Sequence, residues 1–199
     1  MPSDAEGRPH DRHPPPALMD IGLRRLFERP ERFDRFIHRG ATVADIGCGP
    51  GYYTIHFSDV VGDEGKVYAT DTNLSALRIL EKKIRMKGIR NVVWSNSTAS
   101  DLTPIPDRSV DFLLSNLVMC CMSDHWGAVS EIRRVLKPDG VAYLSVSSLG
   151  RRKDSRHVGK KEWGRLLDAF AVKEEGKRFG ARWALVSLQL QSTESGQKV

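Results

Sequence analysis

Short apolar runs that end in glycine or polar residues alternate along the chain with stretches whose apolar residues recur every three or four positions. The runs predict buried strands and the wider spacing predicts helices with one buried face. Strands are predicted at 42–46, 66–70, 91–95, 110–114, 141–146, 172–179 and 182–191, and helices at 52–61, 74–87, 126–136 and 162–170. We expect the last two strands to pair as a hairpin around Gly180. The alternation is typical of an α/β fold.

Both ends of the chain depart from this pattern. Residues 1–16 are rich in proline and charge, so we expect a disordered tail in which His10 and His13 bind no metal. Residues 17–40 predict two short amphipathic helices with arginines among the apolar positions. These arginines form either a solvated basic face, which we favour, or a lid over a ligand cleft. One domain is expected over 17–191, with its core at 41–191, followed by a polar tail at 192–199.

The most informative stretch joins the first strand to the first helix. Asp45 lies in the apolar run, and Gly47, Gly49 and Gly51 follow at alternate positions. Glycine permits positive φ and close approach of a ligand, and a helix start offers unpaired N–H groups. Dinucleotide-binding turns have the form G-x-G-x-x-G, for which Gly51 comes one residue early.

The resulting D-x-G-x-G-x-G sequence resembles the first motif of class I S-adenosylmethionine (SAM)-dependent methyltransferases. The resemblance extends over 41–146, about half of the chain, and includes Asp71, Asp111 and the turn at 137–140, where Asp139 replaces a glycine of the family pattern. It points in particular to the small ubiquinone and menaquinone C-methyltransferases. It implies a Rossmann-like, doubly wound, mostly parallel seven-stranded sheet with one antiparallel strand.

The resemblance also implies a set of cofactor-binding residues. They are Asp45, Gly47, Cys48, Gly49, Gly51, Asp71, Thr72, Thr98, Ala99 and Ser115. Asp71 ends the second strand, at the edge where doubly wound sheets bind ligands, and a carboxylate can accept hydrogen bonds from both hydroxyls of a ribose. The alternative role of helix cap suits Asn73 better. Because many family members have an acid in place of Thr98, adenine contact is expected through the backbone of Ala99 rather than through the Thr98 side chain.

The segment after the fourth strand, 117–125, is expected to border the transferable methyl group. His125 is either a base or a surface residue at a helix start, and we favour the surface position. Cys120 and Cys121 are either ligands for a soft substrate such as trivalent arsenic or small buried residues, and we favour burial. No catalytic residue is assigned, because in-line methyl transfer depends mainly on positioning.

Composition and charge limit the other classes of protein to which the chain could belong. The 199 residues carry a formal net charge of +6, no apolar signal core and no run long enough to span a membrane. Three cysteines without metal-ligand spacing predict a reduced, cytoplasmic protein with no metal site. The basic cluster at 150–161 is expected to be a solvated loop; the alternative is contact with an anionic substrate or RNA phosphate.

We therefore predict a SAM-dependent methyltransferase that acts on a small molecule. An RNA or protein methyltransferase using the basic loop at 151–161 is the first alternative, and a non-catalytic SAM-binding protein is the second. An NAD-dependent oxidoreductase is a third and more distant alternative. The acceptor atom and the oligomeric state stay open.

Overall fold

The structure, a computed structural model, describes residues 28–148 and 155–189. The strands are β1 Thr42–Ile46, β2 Lys66–Thr70, β3 Val92–Ser95, β4 Val110–Asn116, β5 Leu136–Ser147, β6 Ala171–Arg178 and β7 Ala181–Ser187. The α-helices are α1 Tyr52–Val61, α2 Leu74–Lys87, α3 His125–Val135 and α4 Lys160–Leu167, and 3-10 helices form at Pro30–Phe36 and Met119–Cys121. The predicted tails at 1–16 and 192–199, the first N-terminal helix and positions 149–154 lie outside the described residues.

The seven strands form one sheet in the order β3-β2-β1-β4-β5-β7-β6. Neighbouring strands from β3 to β5 are parallel, whereas β7 is antiparallel to both β5 and β6. The predicted doubly wound, mostly parallel sheet with one antiparallel strand is therefore confirmed. The strand order reverses at β1, and the crevice beyond the carboxyl ends of β1 and β4 is where ligands bind in such sheets.

The sheet is buried on both faces, which explains the nearly continuous apolar runs of its central strands. One face packs against α3 and α4 through Ala44, Ile46 and Leu113. The opposite face packs against α1 and the first 3-10 helix through an aromatic cluster. The rings of that cluster belong to Phe33, Tyr53, Phe57, Phe112 and Tyr143.

Several element predictions need correction. Strand β5 begins at Leu136 rather than at position 141, so the predicted turn at 137–140 lies within the strand. Strand β4 ends at Asn116 rather than at position 114. The N-terminal helix at 30–36 is a 3-10 helix, in which the apolar residues Pro30, Phe33 and Phe36, spaced by three, share one face. Strand β7 ends at Ser187 rather than at position 191. Helix α4 begins at Lys160 and ends at Leu167, earlier than the predicted 162–170.

Asp111 has a structural role in this fold. Its carboxylate accepts hydrogen bonds from the backbone N–H of Thr42 at 2.8 Å and from Nζ of Lys137 at 2.6 Å. These contacts hold the first residues of β1, β4 and β5 together. They lie at the amino ends of the strands, whereas the ligand is expected at the carboxyl ends. Gly140 is needed in the adjoining bulge, because a Cβ there would lie 2.6 Å from the carbonyl oxygen of Val110.

Over 28–148 and 155–189, every helix is too short or too polar to cross a lipid bilayer.

Candidate cofactor-binding site

The turn between β1 and α1 requires glycine at each alternate position. Gly47, Gly49 and Gly51 have φ values of +68°, +54° and +86°, in the left-handed region that side chains disfavour. A Cβ on Gly47 would lie 2.5 Å from Cγ2 of Val118, and a Cβ on Gly51 would lie 2.4 Å from Cδ1 of Leu80. Backbone conformation and close packing therefore both explain the predicted motif.

Asp45 is buried directly before this turn, with a relative exposure of 2%. Its Oδ2 accepts a hydrogen bond of 2.6 Å from the hydroxyl of Thr54, in the first turn of α1. A charge-assisted bond of this kind fixes the end of the strand against the start of the helix. Asp45 therefore holds the end of β1, where the glycine turn begins, against the first turn of α1.

Cys48 lies inside the same turn and is buried. Burial raises the pKa of its thiol well above the ordinary value, and the negative charges of Asp45 and Asp71 raise it further. The thiol is therefore protonated at neutral pH and is a poor nucleophile.

Asp71 connects the end of β2 to the glycine turn. Its Oδ2 accepts a hydrogen bond from the backbone N–H of Gly49, and its Oδ1 accepts one from the backbone N–H of Asn73, both at 2.8 Å. Asn73 caps α2, because its Oδ1 accepts from the backbone N–H groups of Ser75 and Ala76. The expectation that Asn73 is the cap is confirmed, and the partly exposed Asp71 carboxylate is held rigidly at the sheet edge.

Thr98 uses its side chain within its own loop. Its Oγ1 accepts a hydrogen bond of 2.9 Å from the backbone N–H of Ser100 and lies 2.7 Å from the Ser100 hydroxyl. Ala99, the next residue, is buried at 4% relative exposure. The loop after β3 thus has a backbone that is fixed by its own side chains.

Arg134 of α3 supports the chain that follows this loop. Its guanidinium donates to the carbonyl oxygens of Leu102 and Ile105 at 2.9 and 3.0 Å, and it pairs with Glu131. Glu131 in turn accepts from the backbone N–H of Leu102 at 2.7 Å. The Arg134 side chain lowers the pKa of Glu131, so the pair stays charged.

Ser115 and Thr70 bring two buried hydroxyls to the same level of the sheet. In the strand register, Ile46 pairs with Thr70 on one side and with Ser115 on the other. Neither hydroxyl finds a hydrogen-bond partner among the described residues. Orphaned buried hydroxyls are costly, and these two flank the strand end that leads into Gly47.

A polar chain missed by the sequence reasoning crosses the ends of α1, β4 and β5. The amide nitrogen of Asn116 lies 3.4 Å from the hydroxyl of Tyr53, and the Asn116 amide oxygen accepts from the hydroxyl of Ser145 at 2.8 Å. The Ser145 hydroxyl in turn accepts from the backbone N–H of Leu117 at 2.9 Å. The only signal in the sequence was that polar residues lie at or near the ends of two buried strands. This polar chain joins the carboxyl end of β4 to β5 and to the start of α1.

Leu117 has a φ of +61°, a strained conformation for a residue with a branched side chain, at the end of β4. The sulfurs of Cys120 and Cys121 lie 3.3 and 3.5 Å from its carbonyl oxygen. The thiol of Cys121 hydrogen-bonds Cys120 and lowers its pKa to about 6; the backbone of Ser147 also lowers it, whereas burial opposes the shift. The lowered pKa favours the thiolate form of Cys120 compared with an ordinary cysteine.

His125 has neither of its predicted roles. It is buried at 3% relative exposure, so the favoured surface position is wrong. Its Nε2 lies 2.8 Å from the carbonyl oxygen of Met122 and its Nδ1 lies 2.7 Å from the carboxylate of Glu162. Both ring nitrogens lie at hydrogen-bond distance from oxygens of the protein, so neither is presented to a ligand. The side chain joins α3 to α4 instead.

The part of the basic cluster that is described, 155–161, leads into α4. Lys160 and Lys161 are exposed and Val158 is buried. Thr72, the remaining predicted residue, is partly exposed beside Asp71. In the described ranges, no group of three or more histidine, cysteine or acidic side chains is arranged to hold a metal ion.

Comparison with known proteins decides the family. Residues 44–144 match the family described as a methyltransferase domain. The chain belongs to this methyltransferase family. The matched stretch runs from β1 to β5 and includes all of the predicted cofactor-binding residues. The resemblance to class I SAM-dependent methyltransferases is thereby confirmed.

Individual relatives agree with this assignment. The chain is 32% identical over 105 residues to the demethylmenaquinone methyltransferase of Geobacillus stearothermophilus, covering 53% of this chain and 44% of the relative. It is 36% identical over 124 residues to the ubiquinone/menaquinone biosynthesis C-methyltransferase of Escherichia coli, covering 62% of this chain and 49% of the relative. The methyltransferase chain thus spans about half the length of the curated relatives it matches.

Among solved structures, a SAM-dependent methyltransferase from Aquifex aeolicus superposes with a TM-score of 0.75 at 25% identity, covering 87% of this chain and 97% of that one. The similarity therefore extends well beyond the glycine turn to the whole sheet.

Proposed function

We propose that this methyltransferase chain binds SAM at the carboxyl ends of β1, β2 and β4 and transfers its methyl group to a small molecule. The observation that carries the proposal is the junction of Asp71 with the glycine turn. The Asp71 carboxylate is bonded to Gly49, and the three glycines of the turn all have positive φ. This arrangement places three glycines without side chains directly beside a fixed acid.

Each predicted residue has a place in this proposal. Gly47, Cys48, Gly49 and Gly51 line the methionine part of SAM, while Asp45 holds the turn. Asp71 accepts from the ribose hydroxyls through lone pairs that its two backbone bonds leave available, beside Thr72. Ala99 contacts the adenine through its backbone, since the Thr98 hydroxyl is engaged with Ser100. The hydroxyl of Ser115 lies beside Ile46, the last residue before the turn.

When bound, SAM supplies an electrophilic methyl group on a positively charged sulfur. Transfer of this methyl group to an acceptor would break its bond to sulfur, with the electron pair going to sulfur, and would leave S-adenosylhomocysteine. The task of the chain is to hold the reacting atoms in line and roughly 3–3.5 Å apart. No side chain is assigned as a base, because the ring nitrogens of His125 are both occupied.

Calorimetric titration with SAM and with S-adenosylhomocysteine tests the binding step, with NADH as the control ligand. We expect both sulfur nucleosides to bind and NADH not to bind. A panel of small-molecule acceptors, assayed for release of S-adenosylhomocysteine, then tests the transfer. Absence of SAM binding by the folded chain would contradict the proposal. If the chain binds SAM but releases no S-adenosylhomocysteine with any of the acceptors, a non-catalytic SAM-binding protein would be favoured.

RNA or protein methylation remains the alternative, supported by the exposed Lys160 and Lys161 at the start of α4. Substrate binding that weakens steeply with added salt would favour it, because phosphate contacts release counterions. The cytoplasmic location also stays a prediction.

A further inference from the structure

Cys120 and Cys121 are a pair of adjacent thiols that the proposed function does not use. They end the 3-10 helix Met119–Cys121, in the segment that leaves the carboxyl end of β4. Both side chains are partly exposed, so the expectation that they are small buried residues is wrong. The pair lies at the surface, and we asked what it would bind there.

The two sulfur atoms converge on one oxygen. Sγ of Cys120 lies 3.3 Å from the carbonyl oxygen of Leu117, and Sγ of Cys121 lies 3.5 Å from the same oxygen. The thiol of Cys121 also hydrogen-bonds Cys120. Two sulfurs and one oxygen thus meet at a single point of the surface, where an atom with affinity for sulfur would find all three.

The backbone that carries these atoms is held in place by the fold. The N–H of Leu117 lies 3.2 Å from the carbonyl oxygen of Ser145 and 2.9 Å from its hydroxyl. The N–H of Cys121 donates to the carbonyl oxygen of Val118 at 2.8 Å. A positive φ such as that of Leu117 persists only where surrounding contacts fix it, and such strain clusters at functional sites. The thiols are therefore presented by a fixed turn.

The number of donors limits the ligand. A structural zinc ion needs four protein ligands arranged as a tetrahedron. Over 28–148 and 155–189, no group of three or more histidine, cysteine or acidic side chains is placed to hold a metal ion. The ligand must therefore be satisfied by two thiolates of the protein, and thiolates select soft partners.

The closeness of the two sulfurs limits the ligand further. An ion held linearly between two thiolates would separate them by two bonds, about 4.6 Å if each bond is about 2.3 Å, as for zinc. Sulfurs that share a hydrogen bond are better placed for a bent arrangement. Trivalent arsenic bonds three atoms in a pyramid, so it spans two neighbouring sulfurs and directs its third substituent outward.

We propose that Cys120 and Cys121 form a binding site for a trivalent arsenical, which they hold through two sulfur–arsenic bonds. With a compound R–As=O, both S–H bonds and the arsenic–oxygen bond break as the two sulfur–arsenic bonds form. The oxygen leaves as water with the two protons, and no atom is oxidised or reduced. The inference is independent of the proposed methyl transfer.

The experiment uses the full chain, with phenylarsine oxide as the probe. Intact-protein mass spectrometry should show one phenylarsenic group added per chain, with the loss of two hydrogens. The adduct should survive an excess of 2-mercaptoethanol, which has one thiol. It should be removed by 2,3-dimercaptopropanol, which replaces both sulfur–arsenic bonds at once.

Variants locate the binding. Cys120→Ala and Cys121→Ala should each weaken it about a hundredfold, because the second of two bonds to one ligand forms intramolecularly. Cys48→Ala removes the third cysteine of the chain and should leave the adduct unchanged. An adduct retained at full affinity in Cys120→Ala, or removed from the wild type by 2-mercaptoethanol, would overturn the inference.

Melting temperatures distinguish a site built by the fold from two thiols that are merely adjacent in sequence. A probe that binds the folded chain about tenfold more tightly than the unfolded chain should raise the melting temperature by about 3–5 °C. Cys120→Ala should show no such rise. An unchanged or lowered melting temperature in the wild type would contradict a preformed site, and an equal rise with zinc alone would contradict a ligand held by only two thiolates.

Discussion

The backbone N–H of Gly49 donates a hydrogen bond of 2.8 Å to Oδ2 of Asp71. Gly49 lies in the turn after β1 and Asp71 directly follows β2, so the bond joins the segments that leave two neighbouring strands. The acid that the proposed function assigns to a ribose therefore also fixes the turn beside it. These two roles can be separated by substitution.

Asp71→Ala should weaken SAM binding by at least tenfold, because it removes both the ribose acceptor and the support of Gly49. Asp71→Asn keeps one acceptor oxygen for the N–H of Gly49 but loses the charge and the second acceptor, which bonds the N–H of Asn73, so its effect should be smaller than that of Asp71→Ala. Calorimetric titration with SAM measures both. Asp63→Asn, in the exposed turn after α1, is the matched control. Unchanged affinity in Asp71→Ala would refute the ribose assignment.

Gly47→Ala and Gly51→Ala should each lower the free energy of unfolding by about 2 kcal/mol or more, because each combines a positive φ with a contact under 3 Å. Gly88→Ala has φ +65° but no atom within 4 Å, so about 1 kcal/mol from backbone strain is expected. Gly164→Ala lies within α4 in open space and should be neutral or stabilising. Urea denaturation measures the series, and equal losses at all four positions would contradict the packing argument.

Cys120 should react with iodoacetamide at a rate that rises with a midpoint near pH 6, following its pKa of about 6. Because the thiolate is the reactive form, the rate should level off above about pH 7, where an ordinary thiol with a pKa near 8.5 is still gaining reactivity. Peptide mapping by mass spectrometry follows each cysteine separately. Cys121→Ala should shift the midpoint upward, and the buried Cys48 should stay unmodified. A midpoint above pH 8 would contradict the thiol–thiol hydrogen bond.

His125→Ala should lower the free energy of unfolding by about 1–3 kcal/mol, since it leaves the carbonyl of Met122 without its buried partner. Glu162→Gln, at the partly exposed end of the same pair, should cost less. SAM affinity should stay within twofold of the wild type, because His125 joins α3 to α4 and contacts no proposed ligand group. His38→Ala, at an exposed site, is the control. A large loss of SAM affinity with unchanged stability would argue for a role in the site.

The features that followed from the sequence are those with a local cause. Glycines at 47, 49 and 51 are required by the backbone conformation of the turn, and the apolar runs of β1 and β4 reflect burial on both faces of the sheet. Asn73 was recognisable as a cap because the groups it satisfies lie two and three residues away. Such features depend on neighbours along the chain.

The features that the sequence did not predict depend on contacts between segments that are distant along the chain. His125 is buried because Glu162 reaches it from a helix 37 residues away. The bond between Ser145 and Asn116 spans 29 residues, and the contact of Asn116 with Tyr53 spans 63. No spacing rule connects such positions, so the polar chain could not be derived without the fold.

Strand β6 forms one outer edge of the sheet, and its residues 172–175 are exposed, with Lys173 next to Glu174 and Glu175. A strand from another molecule that added to this edge would have to accommodate these three charges. Growth of the sheet into an aggregate is therefore opposed on this side. At the other edge, by contrast, β3 has only four residues, two of which, Val93 and Trp94, are apolar and substantially exposed.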